Sequence, residues 1–170
     1  MYIERGKIRA ATATIENAWK VRSHPALAQL WDLTRPVSRD GDKMARVRWF
    51  ERLVALNPES VEGLMALARV MMDEGLWGEA RKALQKAENI APNVELYKLW
   101  ALLEERATHD QDAVRKWLEK AADAPRTRVW ICSETGHIYD EWIPVSDQGL
   151  FNTIIWDYPQ GRVVSSMMLY

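Results

Sequence analysis

A chain of 170 residues is long enough for one main domain and too short for two large ones. Its 23 Lys and Arg against 24 Asp and Glu give no broad positive field for nucleic acid, and its single cysteine excludes an internal disulfide and a thiolate zinc cluster. No window approaches the run of about 18 apolar residues that spans a bilayer, so the chain as given is expected to be soluble.

Pro25, Pro58, Pro92 and Pro125 recur at a nearly constant interval, and such a period belongs to helical repeats. The expected fold is mainly α: a tetratricopeptide-like, right-handed solenoid of helical hairpins with a small C-terminal β element. Residues 1–25, with Gly6 and then "KIRAATATIENAWKVRSHP", read as the second helix of a half unit. Such a start leaves an apolar face open, which predicts a fragment of a longer array. The unit 26–58 is looser, with Gly41, Phe50 and Pro58 standing one period before Gly75, Leu84 and Pro92.

The clearest unit is 59–92. Leu64, Leu67, Ala68 and Met71 supply its first helix, and Ala80, Leu84, Ala87 and Pro92 match the spacing of the second. Ala68 and Ala80 allow close helix approach, Gly75 the tight turn, and Pro92 the stop. In the unit 93–125, Ala113, Trp117 and Pro125 fall one period after Ala80, Leu84 and Pro92, with "THD" in place of the turn glycine. Residues 126–170 change texture: "RVWICS", "HIYDEWIPV" and "FNTIIWDYP" read as three short strands of a β-rich tail that leans on the last helices.

The runs "IENAWKVRSHPALAQLW", "VEGLMALARVMMDEGLWGEARKAL", "AVRKWLEKAADAP" and the Trp-framed "VWICSETGHIYDEW" with "GLFNTIIWDYP" resemble the C-terminal part of HemY-type tetratricopeptide proteins of proteobacteria. The likeness covers nearly the whole chain. It implies a non-catalytic scaffold linked to late protoheme synthesis and, in the full-length protein, an N-terminal anchor in the bacterial inner membrane; the side of the membrane stays open, with the cytoplasmic side favoured. It carries no catalytic residues to transfer.

The tail also holds two x-x-x-x-G arms in the rhythm of a rubredoxin-like or zinc-ribbon knuckle, with Cys132 and Thr135 before Gly136, then Val145 and Gln148 before Gly149. One thiolate among four positions is a poor zinc site. A metal-free tail is therefore expected, its core made by Trp130, Trp142 and Trp156 and its glycines kept as turn residues. Cys132 with His137 lacks the supporting groups of a nucleophilic site, so no catalytic residue and no cofactor is assigned. His24 reads as a helix cap interacting with free carbonyls, and Asp110 beside His109 as the cap of the following helix.

The repeat register lines up first-helix residues that would face a concave surface: Trp31, Arg35 and Arg39, then Glu62, Met65, Arg69, Met72 and Asp73, then Lys98, Leu102 and Arg106. Met71 is a core position in that register and Met72 faces out. Basic residues beside apolar anchors suit a protein or peptide segment of acidic character. Glu62, Asp73, Glu95 and Glu105 lie on or near the same face and weaken a purely acidic ligand. The expected function is protein interaction; a haem or tetrapyrrole carrier and an enzyme of unspecified class are the alternatives.

Overall fold

The computed structural model describes residues 7–36, 42 and 44–159. The chain divides into two compact units, Met1–Ala124 and Pro125–Tyr170. Among the described residues the first unit has seven helices: α1 Ile8–Val21, α2 Pro25–Leu33, α3 Met44–Leu56, α4 Val61–Asp73, α5 Trp77–Ile90, α6 Val94–Ala107 and α7 Gln111–Asp123. Several starts are set by a side chain that accepts from free backbone N–H groups: Ser60 Oγ from Gly63 at 3.0 Å, Asn93 Oδ1 from Leu96 at 2.9 Å, and Asp110 Oδ1 from Asp112 and Ala113 at 3.0 Å.

The α4–α5 turn depends on Gly75 at φ +74°, whose N–H donates to Met72 O at 3.1 Å while Leu76 N–H donates to Met71 O at 2.8 Å. These two bonds satisfy the last carbonyls of α4 in the glycine-dependent way that ends many helices. His109, at the matching place in the next unit, adopts φ +55°. The imidazole-bearing residue thus takes the left-handed conformation of the glycine it replaces.

Each helix packs on the next, and α4 also touches α2 and α6 while α1 touches α3. Ala68, Ala80 and Ala87 are wholly buried at the α4–α5 contact and around it. Helix α2 stops at Leu33, short of Arg35: the Thr34 hydroxyl donates back to Trp31 O at 2.8 Å, and Pro36 disfavours helix at the residue before it. Arg35 therefore lies beyond the first helix on which the repeat register put it. Gly6, Arg39 and Gly41 lie outside the described residues.

Two tryptophans tie α2 to α3. The rings of Trp31 and Trp49 stack at 4.3 Å between centroids, with an interplanar angle of 11°. Trp31 Nε1 donates to Trp49 O at 2.9 Å and Trp49 Nε1 donates to Trp31 O at 3.0 Å. The Arg52 guanidinium lies over both rings, 5.7 and 5.1 Å from their centroids, and is paired with Glu16 of α1. At the other end of the unit Trp117 of α7 stacks on Trp100 of α6 at 4.7 Å, with Lys120 Nζ 4.2 Å from the Trp117 ring.

The second unit holds an antiparallel sheet of order β2-β1-β3, built from β1 Val129–Cys132, β2 Ile138–Tyr139 and β3 Ile154–Asp157. Its register opposes Trp130 to Tyr139 and Trp156, and Ile131 to Ile138 and Ile155. Trp130, Tyr139 and Trp156 therefore share one face with Cys132 and Ile154, and Ile131, Ile138 and Ile155 the other. Gly136 at φ +72° and Gly149 at φ +78° close the two matched turns, donating to Cys132 O and Ser146 O at 2.8 Å. Trp130 and Trp156 meet at 5.1 Å, but Trp142 is 48 % exposed, which corrects its assignment to the core. The chain leaves β2 after Tyr139 and reaches Pro144, which has no N–H to give a ladder, so Trp142 has no strand to hold its ring inward.

Candidate functional site

The residues expected to line a common face separate into three groups. Trp31 is fully buried against Trp49, so it is a core ring and not an exposed anchor. Met72 is 2 % exposed and Met71 is buried beside it, which corrects the outward placement of Met72. Its position near the end of α4 is covered because α4 is flanked by α2, α3, α5 and α6.

The second group is basic but already engaged. Arg46 of α3 donates to Asp32 Oδ2 of α2 at 2.8 Å and to Asp73 Oδ2 of α4 at 2.9 Å. Arg106 of α6 reaches Asp73 Oδ1 at 3.3 Å, and Arg35 Nε lies 3.8 Å from Asp32 Oδ1. Alternating charges thus run from Arg35 through Asp32, Arg46 and Asp73 to Arg106. Burial opposes ionisation of Arg46, yet its bonds to Asp32 and Asp73 raise its pKa further above the ordinary value. Two arginines expected to fork a partner's carboxylate hold carboxylates of their own chain instead. The role of Arg46 is invisible in the sequence because its partners stand 14 and 27 residues away, and only packing brings them together.

The third group stays open. Arg69 is exposed and has no ion pair among the described residues, with Met65 half-buried one turn before it on α4. On the adjoining α6, Leu102 is half-buried and exposed Lys98 pairs with Glu95 at 2.9 Å. Met65, Arg69, Lys98 and Leu102 are what remains of the expected cradle. Glu62 is half-buried on the first turn of α4 and Glu105 is exposed on α6, so both charge signs border it. Arg81 of α5 is bonded to Glu104 of α6 at 2.9 Å, so a substitution there would disturb the helix contact.

In the tail, the four knuckle positions carry a buried Cys132, a half-buried Thr135, and exposed Val145 and Gln148. Cys132 Sγ lies 3.4 Å from Thr153 Oγ1, and the hydroxyls of Thr135 and Thr153 lower the thiol pKa to about 7 against the opposing push of burial. Among the described residues no group of three or more His, Cys, Asp or Glu side chains converges. His137 shares a backbone bond with Cys132, whose N–H donates to His137 O at 2.9 Å. Its ring meets Tyr139 edge-on at 4.8 Å and lies 3.8 Å from Asp147.

His24 does cap a helix, at the end opposite to the one expected. Its Nδ1 accepts from Ala26 N–H at 3.1 Å at the N-terminus of α2, with Pro25 as the first helical residue. A proton on Nδ1 would remove that acceptor and put a cation at the positive end of the helix. Burial lowers the His24 pKa, opposed by Glu62 and assisted by Arg22. The fold therefore favours the neutral ring, and its contribution is complete above the unfolded pKa of about 6.5 and is lost as pH falls toward the lower folded value. His24→Asn, which keeps an acceptor, is expected to flatten the stability profile below about pH 7. The loss it removes is below about 1 kcal/mol, the worth of a cap reduced by solvent screening of a partly exposed ring. Denaturant midpoints across that range check this, and an unchanged acid dependence refutes it.

No helix among the described residues is long and apolar enough to cross a membrane. No family model and no solved structure matches the chain. The chain is 25 % identical over 141 residues to a protein of Magnetospirillum gryphiswaldense designated "Probable magnetosome protein Mms48". That match takes in 82 % of this chain and 31 % of the relative, so the chain spans less than a third of that protein's length.

Proposed function

We infer that the helical unit is a stack of tetratricopeptide-like hairpins that serves as a non-catalytic protein-interaction scaffold. The observation that carries this reading is the packing order, in which every helix meets its successor and α4 meets both α2 and α6. First helices set side by side in that way present a continuous surface, the feature by which helical-repeat proteins hold extended or helical segments. The left-handed residues Gly75 and His109, at matching places in successive units, support a common repeat. The binding element we assign is Met65 and Arg69 of α4 with Lys98 and Leu102 of α6. A partner segment would set an apolar side chain against Met65 and Leu102 and a carboxylate near Arg69.

A photo-reactive amino acid at position 69, installed in the protein in its own cells, is expected to yield a discrete protein adduct. The same group at exposed Lys86 on α5 should not. Adding Met65→Asp should abolish the adduct from position 69. Equal labelling from both positions, or an adduct indifferent to Met65→Asp, would leave the α4–α6 face without a partner.

A further inference from the structure

The tail carries a second surface, unlike the helical one in chemistry. Val145 and Phe151 stand directly opposite each other in an isolated antiparallel bridge, so their side chains project from the same side of a hairpin. They are 45 % and 76 % exposed, and Trp142 just before them is also half exposed. This hairpin is held in shape by its own backbone: Asn152 N–H donates to Pro144 O at 2.8 Å, Ser146 N–H to Leu150 O at 2.9 Å, and Gly149 and Asn152 take φ of +78° and +56°. Val145 and Phe151 thus expose two opposed apolar side chains on a turn of defined shape.

Charge identifies the kind of partner. From Glu134 to Asp157 every Asp, Glu, Lys or Arg is a carboxylate: Glu134, Asp140, Glu141, Asp147 and Asp157. Asp147 sits at the hairpin tip with its side chain 70 % exposed. We propose that the hairpin 144–152 is a docking element for a basic protein segment that presents an apolar side chain to Phe151 and Val145 and a lysine or arginine to Asp147 and Glu141. Anionic surfaces, nucleic acid and acidic lipid included, are disfavoured there by like charge. The proposal is independent of the α4–α6 face, which lies in the other unit.

The test uses the whole chain and two labelled synthetic peptides, one alternating lysine with leucine and one alternating glutamate with leucine, followed by fluorescence anisotropy. The lysine peptide is expected to bind saturably and to weaken as salt is added, and the tail variants should lower its binding without affecting any binding of the glutamate peptide. Phe151→Ser should weaken binding about tenfold, the loss of one central apolar anchor. Asp147→Asn with Glu141→Gln should also weaken it, and Lys86→Gln at an exposed position of α5 should not. Asp147 and Glu141 are both exposed, so the charge variant reads the site even if Phe151→Ser perturbs the fold. Lysine-peptide binding unchanged in the tail variants, glutamate-peptide binding that falls in those variants, or Phe151-dependent binding to anionic phospholipid vesicles would each overturn the proposal.

Discussion

Trp31→Ala is expected to lower the stability of the helical unit by about 3–5 kcal/mol, as removal of a buried aromatic ring usually does. The more informative variant is Trp31→Phe, which keeps a ring for stacking and deletes one donor. Each indole N–H donates to the backbone carbonyl of the other tryptophan, so loss of Trp31 Nε1 removes the bond between α2 and α3 at Trp49 O, which keeps its partner within its own helix. Loss of one such bond costs about 0.5–1.5 kcal/mol. The pair also shares the 4.3 Å stack, so Trp31→Phe and Trp49→Phe should not add. A coupling of about 0.5–3 kcal/mol in the double-mutant cycle is expected from residues in direct contact. Midpoints measured by far-ultraviolet circular dichroism decide it. Additive losses would mean that the rings stack without holding α2 to α3.

The second large effect concerns sign. Gly63 sits inside α4, where alanine would ordinarily improve the helix by about 1 kcal/mol. A Cβ at that position would lie 3.0 Å from Cζ2 of Trp19, whose ring is fully buried, and 3.4 Å from the Ser60 hydroxyl that caps α4. Gly63→Ala is therefore expected to destabilise by about 1–3 kcal/mol through overpacking. Gly78, in the first turn of α5, has nothing within 4 Å of the same built atom and no left-handed φ. Gly78→Ala should stabilise by about 0.4–1 kcal/mol by restricting the unfolded chain. Opposite shifts in thermal midpoint are the expected result. If both variants gain stability, the Trp19 ring moves aside at little cost and the α1–α4 contact is looser than its geometry indicates.

Turn chemistry was legible from residue type and spacing, and the site was legible only in part. The evenly spaced prolines marked where helices stop, and Ala68, Ala80, Leu84 and Ala87 lie on the buried sides of α4 and α5 because a period near 3.6 residues sets which side chains share a face. Gly75, Gly136 and Gly149 adopt the positive φ that their turns require. Tyr139 ends the second strand earlier than its apolar run suggested, because alternation marks a strand but does not tell where a ladder partner runs out.

Residue type and spacing by themselves determined that the chain is mainly helical with a small sheet, that Gly75 makes the α4–α5 turn and Asp110 caps α7, and which face of α4 and α5 turns inward. These follow from local backbone preferences and periodicity, which act over a few helical turns. Tertiary structure alone decided that Trp31 is core, that Met72 is covered, that Arg35 and Arg106 direct their charge to Asp32 and Asp73, and that Gly63 is small because Trp19 lies on it. The physical reason is the same in each case. A helical pattern names a face, but what covers that face, and which charge meets it, depends on neighbours that packing supplies. Those neighbours stand as near in the chain as Asp32 to Arg35 or as far as Trp19 on α1 from Gly63 on α4.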